Sequence, residues 1–374
     1  MDAFEASSEN VVRIVRAQIL LLLVLLLASV KPFAQGALDD KIKKADGLFE
    51  DGKYVQATQL YSEILAIKKT DPDINFKYGT CLLFNSHDKS KALAYLRFAI
   101  KSPTIDPRAH FYMGRALHLN YQFKTAIPHY EKFQKMGSAS QVKELQVDLA
   151  LKACQNGRKL MSDITDVIVL KKTEIKQESF YEIFDLSNIG GTILRTDQFQ
   201  SKEDKKRGHR PLIHFPQGSD NVFFSSYGDD GSTGLDIYQI RRLPDGSWSQ
   251  AQKVLGQVNT YADEDYPFYH PSGYLYFSSK GHNSMGGYDV FKSRFNPNDQ
   301  TYGVPDNVDF AISSPDDDLF YIADSLNKVA YFASARESQD GKLYVYSVRT
   351  QRIPMQIAVI KGDYINQIDP KKRN

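Results

Sequence analysis

Two cysteines, Cys81 and Cys154, are all that the 374 residues contain. They lie far apart, both in segments with helical patterning. No CxxC and no Cys/His set with zinc spacing occurs, so the common structural zinc motifs are excluded. Two possibilities remain for the thiols: a disulfide, which an exported protein permits, or two buried side chains packing as small hydrophobes. Other signatures of chemistry are missing as well. There is no G-x-S-x-G elbow, HExxH, Walker A loop or GxGxxG, and each of these would have marked a nucleophile, a metal or a nucleotide. No catalytic, cofactor-binding or metal-binding residue is nominated, and the expectation is a protein that is not an enzyme and carries no cofactor. An excess of one charge is also lacking. A net charge of +2 leaves no field to gather nucleic acid. Tryptophan occurs once, against 22 Tyr and 22 Phe, a balance that favours flat side chains packed on pleated sheets.

No apolar run is long enough for a membrane span. Arg13 and Arg16 precede Ile19 to Val30, an aliphatic stretch well short of the roughly 20 residues a bilayer helix needs. Ala34-Gln35-Gly36 follows, a small-x-small site of the kind signal peptidase cuts. Residues 1–36 are therefore predicted to be a signal peptide, with Ala37 as the first mature residue. No cysteine directly follows the run, so lipid anchoring there is not expected. The expected protein is exported and is not an integral membrane protein after cleavage.

Beyond the leader the pattern is helical. Gly52-x-Tyr54-x-x-Ala57-x-x-x-Tyr61-x-x-Ile64 recurs as Ala92-x-x-x-Leu96-x-x-Ala99 and as Phe123-x-x-Ala126-x-x-x-Tyr130-x-x-Phe133. The anchors Ala57, Ala92 and Ala126 stand 35 and 34 positions apart. Gly79 and Gly114, with Ala45 in the matching place, are predicted where paired helices touch. Asp71-Pro72 and Asp106-Pro107 mark the joins, since proline starts a helix but does not continue one. Ser140 to Met161 reads as a closing helix with a stripe of Val142, Leu145, Leu149 and Ala153. His110, His118 and His129 have no ligand spacing and read as surface or groove histidines.

From about Asp163 short β runs take over. Phe223-Phe224-Ser225-Ser226, Tyr276-Phe277-Ser278-Ser279 and Tyr331-Phe332-Ala333-Ser334 repeat at offsets of 53 and 55. Each is followed by an apolar-aromatic strand: Leu235 to Tyr238, Tyr288 to Phe291, Leu343 to Tyr346. Turns such as Pro244-Asp245-Gly246 and Pro271-Ser272-Gly273 supply hairpin geometry. The predicted strands are Val167 to Leu170, Phe180 to Leu186, Thr192 to Leu194, Leu212 to Phe215, Val222 to Ser226, Leu235 to Ile240 and Trp248 to Val254. They continue with Pro267 to His270, Tyr274 to Ser278, Tyr288 to Ser293, Leu319 to Ile322, Val329 to Phe332 and Leu343 to Val348. A period of this size built from strands is the mark of a propeller, here of about four blades.

These motifs carry a resemblance. The helical copies resemble the tetratricopeptide (TPR) repeat, most closely in the third. Tyr266 to Ser279 with Gly286 to Phe291 resembles the PD40 (WD40-like, TolB-type) propeller repeat. The copy at 319–346 departs from it, lacking the Pro-x-Gly turn and the Gly-Tyr-Asp element. Ile357 to Gly362 with Tyr364-Ile365 resembles the first strands of a carboxypeptidase-regulatory-like β-sandwich. In this order the parts resemble the OmpA-family (PorE-like) periplasmic proteins of Bacteroidota, without their C-terminal OmpA-like domain. The resemblance implies a multidomain α + β protein: a TPR α-solenoid over 37–161, an all-β propeller over 162–352 and a truncated sandwich over 353–374. It also implies an outer-membrane-associated periplasmic scaffold, serving type IX secretion, gliding or envelope anchoring. Its partners would be cell-envelope proteins, among them outer-membrane secretion components, with an indirect link to peptidoglycan.

A second class of function stays open, the binding or sensing of a glycan or peptidoglycan fragment. Tyr227, Tyr261, Tyr266 and Tyr269 are the aromatics that could stack on a sugar at a propeller mouth; the alternative is packing between blades. Asp229 to Asp236 and Asp316-Asp317-Asp318 could suggest hard-cation loops, or simply acidic turns. Lys202 to Arg210 reads as a solvated basic loop.

Overall fold

The computed structural model describes residues 36–161, 167–308 and 310–350. The predicted signal peptide (apart from Gly36) and the predicted sandwich strands fall outside the described residues. The chain is mixed α + β: helices fill 36–160 and antiparallel sheets follow.

The helical half begins with α1 (36–50). Then come α2 (Tyr54–Ile67), α3 (Pro72–Asn85), α4 (Lys91–Ala99), α5 (Arg108–Leu119) and α6 (Phe123–Met136). Asp71 caps α3 as its Asp-Pro start predicts, the carboxylate accepting from the Asp73 and Ile74 amides at 3.0 and 3.2 Å. The small-residue anchors lie where they were expected. Ala45, Ala57, Ala92 and Ala126 are fully buried. A Cβ on Gly79 would meet Leu96 at 2.9 Å, and one on Gly114 would meet the Tyr130 ring at 2.9 Å. The closing helix differs from its prediction. Gln146 takes a left-handed φ of 48° and splits it into α7 (Ala139–Glu144) and α8 (Val147–Leu160). The turn redirects the buried face to Val147, Ala153, Cys154 and Gly157, while Leu149 is left only half-buried.

The β half begins with β1 (Ile168–Lys176), a 3-10 turn (Gln177–Ile183) and β2 (Thr192–Arg195). The 3-10 turn replaces the predicted strand at Phe180. Phe180 and Phe184 are four apart and both are buried, a helical spacing that two aromatics in a β-rich context disguise. A short helix, α9 (Lys202–Arg207), replaces the expected basic loop. Ser201 and Asp204 form its capping box.

The remaining strands are β3 (Leu212–Phe215), β4 (Asn221–Ser226), β5 (Asp236–Arg241), β6 (Gln252–Lys253), β7 (Glu264–His270), β8 (Tyr274–Ser279), β9 (Asp289–Asn296), β10 (Thr301–Tyr302), β11 (Asp306–Asn307), β12 (Asp318–Ala323), β13 (Val329–Ser334) and β14 (Lys342–Arg349). The predicted Trp248 strand is reduced to β6 and an isolated bridge from Trp248 to Arg242. Four antiparallel sheets result: β2-β3, β4-β5-β6, β7 to β10 with β11 on β9, and β12-β13-β14 with β1 added at the edge. The last pairing joins the first strand of this half to its final one along Ile168 to Lys176.

The Ser-Ser repeat acquires a physical meaning in these sheets. In the first two copies the second serine hydroxyl donates to a buried carboxylate, Ser226 to Asp204 at 2.6 Å and Ser279 to Glu264 at 2.8 Å; in the third, Ser334 accepts from Arg336 Nε at 2.9 Å, and the same guanidinium clamps Asp318 at 2.8 Å. Each of these serine oxygens also accepts the amide two residues on, from Gly228, Gly281 and Arg336. A second device links neighbouring sheets. Asp263 accepts from the Leu235 amide at 3.0 Å, and Asp317 accepts from the Tyr288 amide at 2.9 Å. Gly234 and Gly287 precede those amides, and a Cβ on either would run into the aspartate oxygen. The repeat also carries its own bulge. Tyr266 and Phe320 both take left-handed φ, 55° and 51°, at register shifts in β7 and β12.

Candidate functional site

The two halves dock directly. Met285, from the turn before β9, is buried in the helical core. His118 Nε2 lies 2.7 Å from the Met285 carbonyl and Asn156 donates to the Ser284 carbonyl at 2.9 Å. Lys89 donates to the Ser338 carbonyl at 2.6 Å, and the Asp340 amide donates to the Phe84 carbonyl at 2.8 Å. Phe310 packs edge-on against Tyr121 at 5.5 Å. These contacts leave a cleft along the seam. It has three adjoining lobes of about 280, 460 and 500 Å³. The first shares Leu119, Pro315 and Asp316 with the second, and Gln146, Leu149 and Lys280 with the third.

Local sequence explains what each side contributes. The last turn of α5 brings Arg115, His118 and Leu119, and the α7–α8 bend brings Gln146 and Leu149. On the β side the Asp316-Asp317 turn and Gly286-Gly287 supply the opposing wall. Burial pushes the Asp316 carboxyl up to about 6, against the opposing pull of Lys89 and Arg115. Burial likewise pulls the Lys89 ammonium below its ordinary value. His118 is driven down to about 4 by burial, so it is neutral. With Nε2–H donated to Met285, its Nδ1 faces the Tyr130 hydroxyl at 3.3 Å. It pins the halves together and is not free for proton transfer.

The other nominated residues are dispersed. His110 is buried and stacks on His129 between α5 and α6, their rings 5.8 Å apart. Burial lowers both, His110 to about 4. His110 and His118 are thus buried and not on the surface, and His118 also lines the cleft, the groove position that was the other expectation. Cys81 and Cys154 are buried free thiols, each pushed up to about 12 by burial. Tyr266 packs among Phe180, Tyr288 and Phe320, and Tyr269 stacks on Phe223 at 5.5 Å. Tyr227 lies under Arg207 at 4.3 Å. Of the four tyrosines only Tyr261, 71% exposed, lines the cleft. Asp229 and Asp230 are exposed turn residues, whereas Asp236 is buried and paired with Lys253 at 2.7 Å. Asp318 is buried and clamped by Arg336 at 2.8 Å. No group of three or more His, Cys, Asp or Glu among the described residues is arranged to hold a metal.

One cluster escaped the sequence reading. Ser225, His209 and Asp265 come together, but Ser225 donates to Asp265 at 2.5 Å while His209 Nε2 sits 3.3 Å from the serine oxygen. A hydrolytic triad needs the histidine between serine and acid. Here the serine lies between them and is fully buried, so the trio is a structural knot. The signal was an acid at 265 where the next copy has Leu319. Comparison with known proteins finds no family whose model matches the chain and no curated protein that matches it.

Proposed function

We propose that this protein is a non-catalytic docking scaffold of an exported, cell-envelope assembly. In this proposal the helical half is a TPR-type solenoid and the β half a set of PD40-type propeller blades. The three sheets β4-β5-β6, β7 to β11 and β12-β13-β14 with β1 are the blades in this reading, one fewer than length alone suggests. Addition of β1 to β14 is the kind of edge pairing by which a circular array protects its ends.

The observation that supports docking is the cleft itself. Two repeat arrays are locked edge to edge, and both contribute side chains to the groove between them. A partner bound there would read both arrays at once, which favours specificity over raw affinity. Secretion, gliding or envelope anchoring, with outer-membrane secretion components as partners and an indirect peptidoglycan link, are the settings this proposal carries forward.

The test places a photo-crosslinking residue at Tyr261 in the cleft and, as control, at the exposed Val55 on α2. Specific envelope-protein adducts from Tyr261 and none from Val55 are expected. Equal labelling from both sites, or none from either, would sink the proposal.

A further inference from the structure

Arg115 and Asp316 line the same 280 Å³ lobe from opposite halves of the molecule. Arg115 is held by α5, with its guanidinium 5.5 Å over the Phe84 ring. Its Nε is sealed from solvent without a hydrogen-bond partner. The Asp316 carboxylate makes no hydrogen bond or ion pair among the described residues, although Lys89 and Arg115 both lie near enough to attract it. The other nearby cations direct their donors elsewhere: Lys280, which also lines the lobe, pairs with Asp263 at 3.0 Å. Lys89 donates to the Leu83 and Ser338 carbonyls at 2.8 and 2.6 Å, and Arg336 clamps Asp318 at 2.8 Å. Opposite charges in a partly enclosed space attract more strongly than in water and would ordinarily close to contact. Here the two line one lobe without forming an ion pair.

A space that separates an unengaged cation from an unengaged anion matches a molecule carrying both charges in reverse order. We infer that this lobe binds a zwitterionic ligand of amino-acid to dipeptide size, its carboxylate on Arg115 and its ammonium on Asp316. The volume is at the lower limit of small-molecule pockets, which run from about 300 Å³ upward. Phe111, Leu149 and Ala150 supply an apolar wall for a small side chain. A planar guanidinium is suited to two-point recognition of a carboxylate. The ligand site is independent of the docking proposal, since either can hold without the other.

The experiment titrates the full-length protein by calorimetry with L-alanine, L-leucine, Ala-Ala and Ala-Leu, and then with the N-acetylated and C-amidated forms of whichever binds. Saturable binding of a free zwitterion is expected, with each cap weakening it by about tenfold or more. In Arg115→Gln the amidated and free acids should bind alike, and in Asp316→Asn the acetylated and free amines should bind alike. The caps act on the unaltered protein, so the test does not depend on how the variants fold. Absence of saturable binding by the whole panel up to about 10 mM, or caps without effect, overturns the inference.

Discussion

In the helical half Gly79 meets Leu96, Gly114 meets Tyr130 and Gly157 meets Phe123, each small residue admitting a large one. In the β half the equivalent work falls to acids: buried Asp204 and Glu264 hold serines, buried Asp318 holds Arg336, and half-buried Asp263 and Asp317 hold amides of the neighbouring sheet. The first half is held together by fitted shapes and the second by a circuit of hydrogen bonds. Shape complementarity ignores pH, whereas a circuit of carboxylates does not. The molecule provides separate reporters for the two. Both cysteines are buried in the helical half, and the one tryptophan, Trp248, is in the β half.

The largest effect should come from Asp318→Asn, which leaves the Arg336 guanidinium without its buried counter-charge. A loss of about 3 kcal/mol is expected in urea unfolding followed by Trp248 fluorescence. Met285→Ala should cost about 2 to 4 kcal/mol by emptying a site in the helical core. It should also separate the two halves, so that thiol exposure and Trp248 fluorescence no longer change together. Coincident transitions in that variant would mean that the halves stay coupled without Met285.

Next come Gly287→Ala and Gly79→Ala, at about 1 to 3 kcal/mol each. The first breaks the Asp317 clasp and the second overpacks Leu96. Asp317→Ala combined with Gly287→Ala should cost less than the sum of the two, because both remove one interaction. No such rescue is expected for Gly79→Ala. Strict additivity at Gly287 would remove the clasp as the reason for the glycine.

The pH dependence follows from Glu264, which burial pushes up to about 7 despite bonds from Thr260 and Ser279. Its ordinary value is 4.5, so between about pH 4.5 and 7 the native state binds the extra proton. Its contribution to stability is therefore present below that window and is lost as pH rises through it. Asp316 adds the same sign between its ordinary 3.8 and about 6. Glu264→Gln should flatten the decline in the urea midpoint across the window; an unchanged slope would show that the carboxyl stays ionised throughout. The smallest effect is reserved for the exposed Lys41–Glu63 pair, where Lys41→Ala should leave the midpoint unchanged.

Much of this was visible in the chain before folding. The helix joins at Asp71-Pro72, the small anchors at Ala57, Ala92 and Ala126, and the strands at β3, β4, β8 and β13 are local signals, set by backbone geometry and side-chain period. Phe180 was misread because aromatics suit strands and helical turns alike, and four-residue spacing decides only when both rings share a core. The Trp248 to Val254 run does lie along β5, but it is mostly polar and pairs regularly only at β6 and at the Trp248 bridge. The cleft left almost no trace. Arg115 is a helix-surface arginine in sequence terms, and Asp316 one of three acids in a turn.

The two spacings, 34 to 35 in one half and 53 to 55 in the other, are legible in the chain alone. Each period is written in residues that interact within one hairpin or one sheet. Folding sets which acid meets which serine, how α5 faces the Asp316 turn, and that Lys89 reaches the Ser338 carbonyl 249 positions away. Those pairings join segments whose separation no local pattern encodes. They also put Arg115 and Asp316 in one cavity without letting them touch.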